Sequence, residues 1–405
     1  MNILVLSDFF PPQLNAGAEL IAFELMNAYK NKGNNVSVIT INKSLEKGKV
    51  VVLKDDGFIC YQIGYTYNEK LAAYLGIYNP FILRIVNKII SKNNFEIAHL
   101  HNIHKYISYG VIKLLNKHSI PSILTAHDAM SVAYGKYDQG VDINDQRLTA
   151  RVEYKASQIE IWRQNWKRYN FFRNLLIRHQ LGKLKKIVCV SNELEKLLNT
   201  NGIMNTAVIH NGLPMPNIPS LRKINNFKNN IGIEINDKVL FFAGRLSVSK
   251  GIDQVKLILE RLIAKDKNIK LLIVGKRITF KEAISNNVIN IEWLKREEMD
   301  LAYSVSNITL VPSVYLDPFP TVAIESMRQG IPVMASVYTG AKEAVINGVT
   351  GYHFNPYNID NSVNKIQMIL NNPDLNKSMS LQSVKQFNEN FTIDKCVNKY
   401  LKMIS

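Results

Sequence analysis

Three stretches of the chain put charged and small residues where an anion or a polyol could be held. In the first, residues 7–19, a proline-bearing turn runs into the small residues Ala16, Gly17 and Ala18 at the start of a helical pattern. Backbone N–H groups there are open to an approaching anion at the positive end of the helix dipole, although the same residues also suit an ordinary loop and cap. In the second, residues 241–251, an apolar run ends at Gly244, and Arg245 and Lys250 follow just ahead of another helical pattern. An Arg fork and a Lys point charge at the carboxyl end of a strand suit a pyrophosphate; solvated surface charge is the alternative. In the third, residues 311–333, Asp317 lies in a loop and Glu325 eight positions on, in the helix beginning near Thr321. Glu325 follows the apolar triplet Val322, Ala323 and Ile324. A carboxylate on such a face needs a partner, which ligand hydroxyls would supply. Backbone groups of Phe319, Pro320, Thr321 and Val322 would face the ligand from the same helix start. Asp317 would then bind one polyol and Glu325 another, with phosphates between.

These residues need a scaffold that ends strands at one edge. Short apolar runs alternate with helical patterns, the mark of a parallel sheet covered by helices on both faces. Strands are predicted at 3–6, 36–41, 97–100, 122–126, 187–190 and 207–209, with helices near 18–32, 69–91, 105–118, 157–182 and 192–199. The pattern restarts with strands at 239–242, 270–274, 288–291, 308–311 and 332–335. Its helices are predicted near 252–264, 296–304, 321–329, 361–370, 375–389 and 392–405. Residues 210–220, rich in turn formers, read as a hinge. The expected architecture is α/β, two doubly wound, Rossmann-like domains with a cleft between them: 1–212, 213–388, and a final helix at 389–405 packing back toward the first domain. Ligands in such sheets bind beyond the carboxyl ends of the strands.

Taken together, these motifs resemble the retaining glycosyltransferases of family 4, the group 1 glycosyl transferases with the GT-B fold. The signature, a carboxylate, seven residues, then Glu, runs here through residues 312–333 and is followed by Gly340, Glu343 and Asn347 to Gly351. The resemblance extends from Met1 to about Pro356 and includes Gly244 to Gly251, Val190–Ser191 and His210 to Gly212. It implies that Arg245 and Lys250 bind the donor pyrophosphate, Glu325 the nucleotide ribose, and Asp317 the hydroxyls of the donor sugar. It also implies that His127 lines the reaction centre, that Gly17 and Glu19 face the phosphates and acceptor, and that loops around Gly275 and Leu294 meet the base. Asp317 replaces the family's usual Glu, which shortens its reach by about 1.5 Å. Ala16 and Thr339 each replace a Gly. The implied chemistry is metal-independent front-face transfer, in which a leaving phosphate oxygen takes the acceptor proton. The nucleotide-diphosphate sugar is then a substrate, and no cofactor is expected. A catalytically inactive nucleotide-sugar sensor and a nucleotide-sugar epimerase are the alternatives.

Several other classes are excluded or weakened. No glycine-rich dinucleotide fingerprint and no P-loop occurs, which counts against a Rossmann dehydrogenase and a P-loop NTPase. The histidines His99, His101 and His104 invite a metal, but cleft lining at a strand end is the better reading. Cys60, Cys189 and Cys396 are too few and too scattered for a disulfide framework. No secretory signal is expected from the N-terminal residues, and the most apolar stretch, 71–90, is interrupted by Asn79, Pro80 and Arg84.

The 405 residues carry 50 Lys+Arg against 33 Asp+Glu, a net charge of +17. Ten of those basic residues fall between Arg151 and Lys186, opposed there only by Glu153 and Glu160. Within that span Trp162, Trp166, Tyr169 and Phe172 recur at helical spacing, flanked by Arg163, Lys167, Arg168 and Arg173. Aromatic rings beside cations suit an anionic membrane surface through 157–186 better than nucleic acid. The expected protein is therefore cytoplasmic and peripheral on the inner face of the membrane. Its expected partners are a nucleotide sugar and a glycan or lipid-linked acceptor of cell-envelope polysaccharide synthesis.

Overall fold

The computed structural model describes residues 1–11, 17–55, 57–166, 169–244, 247–276 and 278–404. The chain divides into two compact units. One comprises Met1–Tyr137, Tyr154–Gly212 and Ile393–Ser405; the other comprises Asp138–Glu153 and Leu213–Thr392.

The first unit is built on eight strands: β1 (Asn2–Leu6), β2 (Asn35–Asn42), β3 (Val50–Asp55), β4 (Phe58–Gly64), β5 (Ile97–Leu100), β6 (Ser122–Ala126), β7 (Lys186–Cys189) and β8 (Thr206–Val208). Their order is β3-β4-β2-β1-β5-β6-β7-β8. All neighbours are parallel except β3, which runs antiparallel along β4 at the edge. The strand order reverses between β1 and β5, so the loops leaving those strands diverge and open a crevice at their carboxyl ends. β5 and β6 are buried along their whole length, as expected of strands covered on both faces.

The second unit has β9 (Lys238–Gly244), β10 (Ile269–Gly275), β11 (Val288–Ile291), β12 (Ile308–Val311), β13 (Val333–Ser336) and β14 (Gly351–Phe354), all parallel in the order β11-β10-β9-β12-β13-β14. Its reversal lies between β9 and β12. Alternate residues of β9 and β10 feed two cores. Leu240, Phe242, Leu271 and Ile273 pack with Ile258 and Leu262 on one face. Val239, Phe241, Leu272 and Val274 pack with Ala302 and Tyr303 on the other.

Several expected elements differ. The helix expected over 69–91 is a 3₁₀ turn at Glu69–Leu71, a short helix at Ala72–Leu75 and a separate helix at Pro80–Ile90. Asn79 caps the last of these by accepting from the Ile82 N–H at 3.3 Å, and Pro80 occupies its first position, a combination that starts a helix rather than continuing one. The helix expected over 157–182 is also two: Gln158–Asn165 and Arg173–Leu181. Trp166 ends the first with φ +42°, which no right-handed helix can carry through. The aromatic stripe is thereby split. Trp162, Trp166 and Phe172 are exposed, whereas Tyr169 is buried and donates to Gln158 Oε1 at 2.9 Å. Arg173 is not a surface cation; it is buried, donates to the Met130 carbonyl and lies over the Tyr134 ring. Lys167 and Arg168 lie outside the described residues.

Residues 138–153 leave the first half of the chain to join the second unit. There Asn355 Nδ2 donates to the carbonyls of Asp145 and Arg147 at 2.6 and 2.9 Å. The terminal helix Ile393–Ile404 belongs to the first unit, where the Tyr400 hydroxyl meets Thr125 Oγ1 at 2.9 Å and Asp394 pairs with Lys32 at 3.3 Å.

Candidate active site

In the second unit, β9 ends at Gly244, which has φ +119°, a conformation suited to glycine. Arg245 lies outside the described residues. The chain then makes a tight turn at Val248–Lys250 and enters the helix Ile252–Ile263 through Gly251. Gly251 has φ +81°, and a Cβ there would stand 2.1 Å from the Pro312 carbonyl oxygen. Only glycine lets the two loops, one after β9 and one after β12, approach so closely. Their approach brings Lys250 to Asp317: the ammonium donates to Asp317 Oδ2 and sits 5.6 Å over the Tyr315 ring. The Ser313 hydroxyl donates to the same oxygen at 3.0 Å. Asp317 is itself anchored, since its carbonyl accepts from the Gly340 N–H at 2.9 Å. A nearly buried carboxylate, a cation and a hydroxyl thus meet at the topological switch point of the sheet.

Glu325 stands in the helix Thr321–Arg328, half-buried, and its Oε2 accepts from the Tyr303 hydroxyl at 2.8 Å. Burial first, and then the Glu325 charge, push the Tyr303 phenol well above its usual range, so it remains a donor. The partner that the sequence reading sought only in a ligand is partly supplied by the protein. Pro320 precedes this helix and makes no side-chain cap bond, while Phe319 is buried against Phe391. Gly275 ends β10 directly beside Gly244 of β9, and Leu294 packs on the core face that holds Tyr303. Ser313, Tyr303 and Tyr315 were not singled out from sequence. Ser313 lies four residues before Asp317 in one loop, a detectable spacing, but Tyr303 lies on a helix with no motif and is placed only by packing.

In the first unit, Gly17 is exposed at the start of the helix Gly17–Asn31 and Glu19 is buried in its first turn; Ala16 lies outside the described residues. His101 follows β5 and His127 follows β6, and His101 Nδ1 lies 3.0 Å from His127 Nε2. Burial pushes His127 down to about 4 and His99 to about 3, so both are neutral near pH 7. His104 Nε2 approaches Asp128 at 3.7 Å. Beside them Asp8, fully buried at the end of β1, accepts from the N–H groups of Lys105, Tyr106 and Ile107 at 2.7, 3.0 and 2.8 Å. That carboxylate fixes the loop after β5. Among the described residues no group of three or more His, Cys, Asp or Glu is placed to hold a metal ion. The histidines bond to one another and to hydroxyls instead.

Two parallel-dominated, doubly wound sheets, with phosphate- and polyol-binding residue types beyond the strand ends of the second, define a GT-B-type protein. The model of the glycosyl transferases group 1 matches residues 223–386, and that of Glycosyltransferase Family 4 matches residues 16–215. The chain belongs to the group 1 glycosyltransferases. It is 27% identical over 319 residues to an uncharacterized glycosyltransferase of Methanocaldococcus jannaschii, covering 78% of this chain and 76% of that one. It is 30% identical over 161 residues to the lipopolysaccharide 1,2-N-acetylglucosaminetransferase of Salmonella typhimurium, covering 36% of this chain and 42% of that one. The match thus spans less than half the length of the Salmonella protein. Sucrose-phosphate synthase from Thermosynechococcus elongatus has the same fold, with a TM-score of 0.75, 18% identity and coverage of 99% and 98% of the two chains. Anabaena HepE, solved with UDP and glucose, matches with a TM-score of 0.69 at 16% identity over 100% and 99%. Among the described residues no helix is long and apolar enough to cross a membrane.

Proposed function

We propose that the chain is a retaining, metal-independent glycosyltransferase that moves a sugar from a nucleoside diphosphate sugar to a glycan or lipid-linked acceptor in cell-envelope polysaccharide synthesis. The observation that carries this reading is the convergence of Lys250, Asp317 and Ser313 at the reversal between β9 and β12. Without donor, Lys250 is neutralised by Asp317. A diphosphate oxygen competes for that ammonium and leaves Asp317 free to accept from a sugar hydroxyl. Glu325, oriented by Tyr303, accepts from the ribose hydroxyls. In the transfer, the bond from the anomeric carbon to the phosphate oxygen breaks and the bond to the acceptor oxygen forms on the same face. The acceptor proton passes to the departing phosphate oxygen. Lys250 stabilises the charge that develops on the diphosphate. The complex of Anabaena HepE with UDP and glucose supports the donor class, and the Salmonella relative supports the envelope setting.

The same reading includes a peripheral site on the anionic, cytoplasmic face of a membrane. Trp162 and Leu175 on the two short helices, and Trp166, Phe171 and Phe172 at their ends, are exposed, as are the cations Arg163 and Arg178. Aromatic rings with adjacent cations are the side chains that settle at an anionic lipid interface.

A panel of nucleotide sugars tests the reading. The donor is expected to raise the melting temperature, by RT ln(1 + [L]/Kd) in stability. It should also yield product of unchanged anomeric configuration in excess EDTA. Inverted product refutes retention, and donor binding without transfer or hydrolysis identifies a sensor instead. Donor binding that is indifferent to Glu325→Ala removes that carboxylate from the site.

A further inference from the structure

His127 is the half-exposed member of a pair whose other member, His101, is almost completely buried. Their rings lie 5.3 Å apart at 18°, joined by the 3.0 Å contact between His101 Nδ1 and His127 Nε2. Behind His101 stands His99, 4.2 Å away ring to ring. His99 is held on both nitrogens: Nδ1 meets the Tyr29 hydroxyl at 3.1 Å and Nε2 meets Thr125 Oγ1 at 2.7 Å. Thr125 is in turn bonded to Tyr400. The back wall is therefore fixed, and the remaining nitrogen, His101 Nε2, is buried with no hydrogen-bond partner among the described residues.

Two neutral imidazoles sharing one hydrogen bond have two arrangements, and each forces both rings into the same tautomer. In one, His127 Nε2–H donates to His101 Nδ1. His101 then carries its own proton on Nε2, as a buried N–H with nothing to receive it. In the other, His101 Nδ1–H donates to His127 Nε2, and the orphaned atom is only a lone pair. Buried N–H groups without acceptors are the rarer defect in folded proteins. We propose that His101 is a positioning residue that locks His127 as the neutral Nδ1–H tautomer, so that His127 meets its ligand as a hydrogen-bond donor and not as a base. The groups that act on His127 agree. Burial disfavours its charged form and His104 is a potential like charge, while Asp128, which favours protonation, accepts from the Met130 N–H at 2.9 Å and lies 3.7 Å from His104. The ligand atom it serves is a hydroxyl or phosphate oxygen with a free lone pair. The acceptor proton is left to the departing phosphate oxygen. This assignment of roles rests on the glycosyl-transfer reading; the tautomer does not.

The test is ring-nitrogen NMR on the full chain with 15N-labelled histidine, His127 being assigned by loss of its signals in His127→Gln. The wild type is expected to show His127 protonated at Nδ1 and bare at Nε2, without titration between pH 5.5 and 8. His101→Leu removes the donor, and the His127 signals should move toward the averaged shifts of a freely exchanging ring. His101→Asn places an amide N–H where Nδ1–H stood and should restore the wild-type pattern. A wild-type His127 protonated at Nε2, or a His127 spectrum identical in His101→Leu, overturns the proposal. These outcomes are read without turnover. An Nδ1–H His127 in a protein that transfers no sugar would refute the functional reading and leave the tautomer assignment standing.

Discussion

Replacing Lys250 by methionine should separate the two roles of the Lys250–Asp317 pair. The Asp317 side chain is 9% exposed and that of Lys250 26%. Removing one partner of a buried pair costs about 3–5 kcal/mol, because the other charge is left uncompensated. Here the cation is partly hydrated and Ser313 still donates to the carboxylate, so about 1–3 kcal/mol is the better expectation. For a unit of nearly 200 residues that corresponds to a fall in melting temperature of roughly 2–12 °C. The double variant Lys250→Met, Asp317→Asn removes the stranded charge and should recover at least half of that loss. Transfer should behave differently. If Lys250 stabilises the leaving diphosphate, kcat/KM falls by about 10²–10³ in the single variant and is not recovered in the double. Calorimetry and a transfer assay on the wild type, the two single variants and the double give a complete cycle. A double variant that melts no higher than Lys250→Met would show that the pair is not the source of the cost. Transfer at the wild-type rate by Lys250→Met would remove the lysine from the mechanism.

Gly251→Ala sets a Cβ 2.1 Å from the Pro312 carbonyl at a left-handed φ and should cost about 3 kcal/mol or more, read as a lower urea midpoint. An unchanged midpoint would mean that the two loops are not held at that distance. His99 and His127, whose surroundings disfavour the charged ring, predict a pH dependence of known sign. Their folded pKa values, about 3 for His99 and about 4 for His127, lie below the unfolded value of about 6.5. Their contribution is complete above pH 6.5 and is lost as pH falls toward 4. Each is worth up to about 1.4 kcal/mol per pH unit, so the two should cost about 2–3 kcal/mol between pH 6 and 5. A flat urea midpoint over that interval in the wild type would contradict it. Trp162→Ser with Trp166→Ser should abolish flotation with vesicles containing anionic lipid, and equal flotation of variant and wild type would dismiss the membrane surface.

The strands next to each switch point were legible because a strand covered on both faces must be apolar throughout. Ile97–Leu100 and Ile308–Val311, buried throughout, have the predicted bounds, and so do the edge strand Val288–Ile291 and the helix Arg296–Ser304. The edge strands β3 and β14, and β4 between β3 and β2, were missed. β3 in particular leaves Val52 and Leu53 exposed, so its pattern lacks the contrast that marks a buried strand. The split in 157–181 turns on the backbone angle at Trp166, which the period of the aromatic residues does not record. The helix Leu221–Ile231 was also missed: Ile224, Phe227 and Ile231 pack on the core, but none of its residues is fully buried and its other positions are mostly Asn and Lys.

The sequence by itself determined the class of the protein, two doubly wound parallel sheets with Gly244, Lys250, Asp317 and Glu325 in loops and helix starts after particular strands. It could do so because strand burial and turn chemistry are local and leave a linear trace. Only the tertiary structure decided which of those residues meet. That Lys250 rests on Asp317, that Tyr303 holds Glu325, and that His101 stands behind His127 are contacts across 67, 22 and 26 positions of chain. The first and the last join the ends of neighbouring strands, and the second joins two helices, Arg296–Ser304 and Thr321–Arg328. Strand order is set by how crossovers pack, and no spacing along the chain encodes it.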